Sequence, residues 1–109
     1  MNEFTWNVSS MNALAAQIAE WRETKGFDTP SSIADAEGTL AKLALVHSEV
    51  SEAVEAVRHQ DQANFEEEIA DAIIRILDLT GTMGIDIEKA IAEKMDVNAG
   101  REWRHGKAI

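Results

Sequence analysis

Ser48-Glu49-Val50-Ser51-Glu52-Ala53-Val54-Glu55 and, further on, Glu67-Glu68-Ile69-Ala70-Asp71 are the stretches that decide the fold. Glu49 and Glu52 are three residues apart, as are Glu68 and Asp71, and Glu55 continues the first row. Residues so spaced share one face of an α-helix. Each pair sits among aliphatic residues at helical period. Leu40, Leu43, Val46 or His47, Val50, Val54 and Val57 form the stripe of the first segment. Phe65, Ile69, Ala72, Ile73, Ile76 and Leu77 form that of the second. The polar stretch His59-Gln60-Asp61-Gln62 between them predicts a turn, and with it an antiparallel helical hairpin. Such a hairpin gathers four carboxylates beside an apolar seam. Like charges held that close repel, and a hard divalent cation is the usual remedy.

Counting acidic pairs does not establish this. The chain has 20 acidic residues, and Glu20/Glu23 and Glu93/Asp96 repeat the same spacing elsewhere. Context separates the central pairs, which lie on the two most apolar segments. Solvated acidic faces remain the competing reading at this level.

The remaining composition narrows the class. A chain of 109 residues makes one domain, taken here as 1–109. It is 45% hydrophobic with one proline and six glycines, which favours an all-α globular protein. The absence of cysteine excludes disulfides, zinc–thiolate sites and iron–sulfur clusters, and suits a cytoplasmic protein. Met1 to Trp6 has no basic and apolar signal-peptide pattern, and no apolar run approaches a membrane span. The net charge of −10 opposes nonspecific binding to nucleic acid or an anionic membrane. A nucleotide whose phosphates are complexed to magnesium escapes that objection.

Four helices are expected. The first starts after Ser9-Ser10, carries Leu14, Ile18 and Trp21 inward, and ends before Gly26. From Gly26 to Gly38, broken by Pro30, the chain reads as a loop and a candidate for mobility. The second helix runs from about Thr39 to His59 and the third from about Gln62 to Met83, with Gly81 and Gly84 at its end. Asp86 caps a fourth from Ile87 to about Trp103, with Ile87, Ile91, Met95 and Val97 inward, and a short basic tail follows. The third helix is too apolar for a lone bundle. A four-helix bundle completed by oligomerisation is the expected architecture.

A cluster of carboxylate oxygens without imidazole or thiolate favours Mg²⁺ or Mn²⁺ over zinc or copper. Di-iron bundles use Glu-x-x-His, and neither pair has a histidine at that offset. His47 reads as a core or interface histidine and His59 as a helix C-terminal residue. Magnesium held by few protein ligands keeps positions for water and phosphates, which suits phosphoryl or nucleotidyl transfer to water. Lys94, Asn98 and Arg101, at i, i+4 and i+7 on the fourth helix, are candidate phosphate ligands, or a solvated polar stripe.

Taken in order, the two acidic elements and Lys94-Met95-Asp96-Val97-Asn98 with Arg101 resemble the Glu-x-x-Glu, Glu-x-x-Asp and Lys-x-x-x-Asn-x-x-Arg elements of the MazG-like nucleoside triphosphate pyrophosphohydrolases. The resemblance runs from about Leu14 to Gly106. It implies an all-α enzyme that cleaves a nucleoside triphosphate between the α- and β-phosphates, releasing pyrophosphate. Glu49, Glu52, Glu68 and Asp71 are then magnesium ligands, and Glu49 or Glu52 also orients or deprotonates the attacking water. Lys94 and Arg101 neutralise phosphate charge and Asn98 bonds phosphate or sugar. Trp21, with Trp6 or Phe27 as helpers, is the leading candidate to stack on the base, against the competing reading of a core tryptophan, while Trp103 reads as a packing anchor.

It further implies a homotetramer, with a dimer as the fallback, whose sites lie beside subunit interfaces. Ser48 stands where many members have a second glutamate. Arg75 and His59 stand where the dCTP-cleaving branch tends to carry tyrosine and another aromatic. These departures leave the base preference open. Phosphoribosyl-ATP pyrophosphatase, which shares the fold, and a noncatalytic acidic interaction module are the alternatives.

Overall fold

Each helix begins where a side chain can accept one of the backbone N–H groups that a first turn leaves unpaired. A computed structural model describes residues 5–101. Its elements are α1 (Met11–Thr24), α2 (Ala36–Arg58), α3 (Gln62–Met83) and α4 (Ile87–Ala99). Ser10, Asp35, Asp61 and Asp86 accept from the N–H groups of Ala13, Gly38, Asn64 and Lys89. The Asp35 cap starts α2 earlier than Thr39, the expected start, because it draws Gly38 into the first turn. At the other end of the chain α4 stops at Ala99, before Gly100, rather than running to Trp103. Trp103 and the basic tail lie outside the described residues.

The α2–α3 turn is made by the tetrapeptide that predicted it. Asp61 donates its N–H to the Ala56 carbonyl at 2.9 Å and Gln60 donates to Val57 at 3.1 Å. Those two bonds are the pair that closes a helix C-terminus when the next residue turns left-handed, and Gln60 has φ 54°. The Asp61 carboxylate then caps α3. Chain reversal and helix start thus occupy adjacent residues. Ala53 and Ala56 are the buried residues of α2, small enough to let its backbone approach α3.

Helix α1 packs on the other side of α3 through Ala15, Ile18 and Leu77, with Trp6, Leu14 and Ile87 against them. Gly81, expected to help end α3, instead lies within it. It faces α1, where a Cβ would meet the Ala15 carbonyl oxygen far inside contact distance. Alanine there gains about 1 kcal/mol of helix propensity but forces two backbones apart, an overpacking cost of about 1–3 kcal/mol. Gly81→Ala is therefore expected to lower the midpoint of chemical denaturation. An unchanged or raised midpoint would contradict the close approach.

The loop between α1 and α2 is tethered rather than free. Arg22 is buried and donates to Asp78 at 3.2 Å, to the Phe27 carbonyl at 2.7 Å and to Thr82 at 2.7 Å. Thr29 donates to the second oxygen of Asp78 at 2.8 Å. The N-termini of α1 and α4 meet through a reciprocal clasp. Asn12 Oδ1 accepts from Ile87 and Glu88, while Glu88 Oε2 accepts from Asn12 N and Ser10 Oγ. Asn12 also donates to Asp86, which holds that carboxyl below the usual carboxylate range.

The stripe read as the core of α2 is exposed in the single chain. Leu40 is 66% accessible, and Val50, Val54 and Val57 are about half exposed. On α3, Ile69, Ile73 and Ile76 are exposed as well, while Leu77, Leu79 and Thr80 are buried. Ile91, Met95 and Val97 of α4, expected inward, are also exposed. The hairpin thus leaves apolar flanks on α2 and α3 that no described residue covers. Among the described residues, no helix is long and apolar enough to cross a membrane.

Candidate metal and nucleotide site

Antiparallel packing of α2 on α3 brings Glu49 to Glu68 and Asp71, with one oxygen from each within 4.8 Å of the others. Three of the four expected ligands therefore converge. Glu52 lies outside that triad and is exposed, yet its charge still acts on Glu68. Glu55 belongs to the surface, where it pairs with Arg58 at 3.2 Å and lies 3.8 Å from His59.

Glu68 is the buried member, and its Oε2 has no hydrogen-bond partner. Its pKa is raised from 4.5 to about 7, first by a side-chain hydrogen bond with Glu49, then by burial, then by the charges of Glu52, Glu49 and Asp71. Protonation of Glu68, which its raised pKa favours below about pH 7, relieves the crowding when no cation is bound. Displacing that proton exposes a cradle of hard oxygens, one of them buried and otherwise orphaned. That donor set suits Mg²⁺ or Mn²⁺, which take oxygen ligands and carboxylates by preference.

Arg75 completes the cluster. Its Nε donates to Glu49 Oε1 at 3.1 Å, with the Arg75 side chain 41% exposed and that of Glu49 15% exposed. In the sequence Arg75 stands out only as a departure from a family pattern. Glu68, Asp71 and Arg75 stand at i, i+3 and i+7, so helical spacing already put the three on one face.

The α4 row is not joined to this site within one chain. Helix α4 packs on α1, and among the described residues Lys94, Asn98 and Arg101 make no side-chain bond to the carboxylates. Lys94 and Arg101 are exposed, while Asn98 has a buried Oδ1 without a partner.

A groove of about 530 Å³ opens between α1 and α3. Trp6, Val8 and Trp21 line one side and Ala70, Ile73 and Ile74 the other. Its size falls in the range of small-molecule pockets. Trp21 is 37% exposed and meets Trp6 edge-on, with ring centroids 6.3 Å apart and Lys25 Nζ 5.9 Å from its own. Ala70 precedes Asp71 and Ile74 follows it by one helical turn, so the groove borders the carboxylate face. Phe27, the other suggested base contact, does not line it and is 66% exposed.

Comparison with known proteins places the chain in a family. The MazG-like family matches residues 40–108, which include both carboxylate helices and α4. The chain is 33% identical over 90 residues to a dATP/dGTP diphosphohydrolase of Cyanophage S-2L, covering 83% of this chain and 74% of that protein. No solved structure gives a significant match. The chain belongs to the MazG-like family, and its class is that of the nucleoside triphosphate pyrophosphohydrolases. That membership removes the noncatalytic interaction module from the alternatives.

Proposed function

We propose that this enzyme hydrolyses a purine deoxynucleoside triphosphate to the monophosphate and pyrophosphate in a magnesium-dependent reaction, with nucleotide-pool cleansing as its role. The observation that carries the reading is the convergence of Glu49, Glu68 and Asp71 around a buried, unpartnered carboxylate oxygen. The choice of purine substrate rests on the substrates named for the cyanophage relative. It also favours this reading over a phosphoribosyl-ATP pyrophosphatase.

Glu49, Glu68 and Asp71, joined by Glu52, would hold Mg²⁺, with Mn²⁺ as a substitute. When bound, the metal would orient water and neutralise charge growing on the phosphates. Water attacks the α-phosphorus, the bond from it to the oxygen bridging to the β-phosphate breaks, and pyrophosphate leaves with that oxygen. The proton lost by water passes to a glutamate of α2. Glu49 already has one oxygen occupied by Arg75, so Glu52 is the better base. Lys94, Asn98 and Arg101 reach phosphate or sugar from a neighbouring chain of a homotetramer, or of a dimer. The exposed aliphatic flanks of α2 and α3 support that assembly.

Trp21 stacks on the base in the α1–α3 groove. One base–aromatic stack contributes about 1–3 kcal/mol, so Trp21→Ala should raise KM by about tenfold with kcat little altered. Pyrophosphate release from the eight common ribo- and deoxynucleoside triphosphates, followed for both proteins, tests this. The expected result is preference for dATP or dGTP in wild type and loss of that preference in the variant. Preference for a pyrimidine nucleotide, or an unchanged KM in the variant, would overturn the assignment of the groove.

A further inference from the structure

The geometry points to Arg75 as the residue that binds the substrate's phosphates within the same chain as the carboxylates; this rests on the reading of the site given above. A triphosphate approaching a protein of net charge −10 needs cations close to the acidic cluster. The fourth-helix cations expected to serve are not joined to that cluster in the single chain. Among the described residues, Arg75 is the cation bonded to that cluster. It rises from α3 on the face of Glu68 and Asp71 and spends only its Nε–H, on Glu49 Oε1.

Its Nη groups have no partner among the described residues, and the side chain is 41% exposed. A guanidinium carries five donors in a fixed fork that matches phosphate oxygens. With one donor anchored on Glu49, the remaining edge is free and held beside the carboxylate triad. Anchoring also lowers the entropy lost when a phosphate binds, because the long side chain is already placed. Arg75 therefore does two things: it fixes the Glu49 carboxylate, and it presents a positive edge to the phosphate chain. Lys94 and Arg101 would serve the same substrate from another subunit, so the two sources of charge are complementary.

A residue that merely supported Glu49 would affect metal binding when lost. A phosphate ligand affects nucleotide binding instead. The test is calorimetric titration of Mg²⁺ alone, then of the non-hydrolysable α,β-imido analogue of dGTP in saturating Mg²⁺, into wild type, Arg75→Gln and Arg75→Lys. Wild-type turnover of dGTP is measured alongside. The expected result is a fall in Mg²⁺ affinity that is smaller in both variants than the fall in analogue affinity, since Arg75 steadies Glu49 but donates no ligand atom. Analogue affinity should fall about 10- to 100-fold in Arg75→Gln, the range for losing hydrogen bonds to a charged group. Arg75→Lys, which keeps the charge without the fork, should fall between the two.

Analogue binding by Arg75→Gln equal to wild type overturns the proposal and leaves the enzymatic reading standing. A drop in Mg²⁺ affinity matching the whole drop in analogue affinity overturns it too, because Arg75 is then a support for Glu49 alone. Wild type that neither hydrolyses dGTP nor binds the analogue defeats the enzymatic reading itself, and this inference with it.

Discussion

Glu68→Gln is expected to abolish pyrophosphate release and to make the metal-free protein more resistant to heat. The two effects have one cause. Glu68 is the buried carboxylate of the triad, with an oxygen that has no protein partner. Loss of an outer-shell partner of a metal site costs roughly 10- to 100-fold, so loss of a direct ligand should cost more. In the absence of metal, the same carboxylate is opposed by Glu49, Glu52 and Asp71.

The raised pKa sets the pH dependence. In the unfolded chain Glu68 titrates at its ordinary 4.5, and in the folded protein at about 7. Below 4.5 the group is protonated in both states and its favourable contribution is complete. Between 4.5 and about 7 the folded state binds more protons, so stability falls as pH rises, and the contribution is lost once pH passes about 7. Metal-free wild type should therefore lose stability from pH 5 to 8 relative to Glu68→Gln, which has no such proton to lose. Binding of Mg²⁺ should release protons below about pH 7, and should raise the melting temperature of wild type more than that of the variant. Parallel melting profiles of the two metal-free proteins across this range would mean that the four groups do not repel one another as a cluster.

Ile76→Asp should split the oligomer and remove activity together. Ile76 is 40% exposed on the flank of α3 that α1 and α2 leave open, and it does not line the Trp21 groove. Ile73 is 50% exposed but does line that groove, so Ile73→Asp combines two effects and is the less clean test. No large side chain among the described residues is fully enclosed, which leaves the single chain short of a core. Stable interfaces bury about 800 Å² on each partner, and a carboxylate placed at the centre of one loses its water without gaining a partner. Light scattering read with pyrophosphate release should show smaller particles and falling turnover in step. Wild type that is monomeric at about micromolar concentration and fully active would contradict both the assembly and the delivery of α4 residues from a neighbour.

Local chemistry made most of the fold legible in the sequence. The α2–α3 hairpin followed from His59-Gln60-Asp61-Gln62 and from aliphatic spacing, and Ser10 and Asp86 cap where they were expected to. Gly26 and Gly84 are left-handed, as glycines that terminate helices often are. Misreadings arose where a residue's role depended on something distant in sequence. Gly81 resembles a helix stop until Ala15 is placed against it. Gly38 looks like loop until Asp35 is seen to cap the turn containing it.

The same division holds for the site. Pair spacing on each helix foretold that Glu49, Glu52, Glu68 and Asp71 meet, and three of the four do, because one tight turn relates α2 to α3, while Glu52 stands outside the triad. The position of α4 depends on the clasp between Asn12 and Glu88, which no periodicity encodes. Its Lys94, Asn98 and Arg101 were accordingly recognisable as a row but not placeable. The tether made by Arg22, Asp78 and Thr29 was missed for a related reason, since its partners lie on α1, α3 and the loop between α1 and α2.

The carboxylate site should direct hydrolysis to the α–β linkage and require a divalent cation to do so. Phosphorus NMR of dGTP incubated with the enzyme, in Mg²⁺ and in Mg²⁺ with excess EDTA, tests it most directly. The expected products are dGMP and pyrophosphate with Mg²⁺, and intact dGTP with the chelator. Release of orthophosphate with dGDP, or undiminished turnover in EDTA, would contradict it.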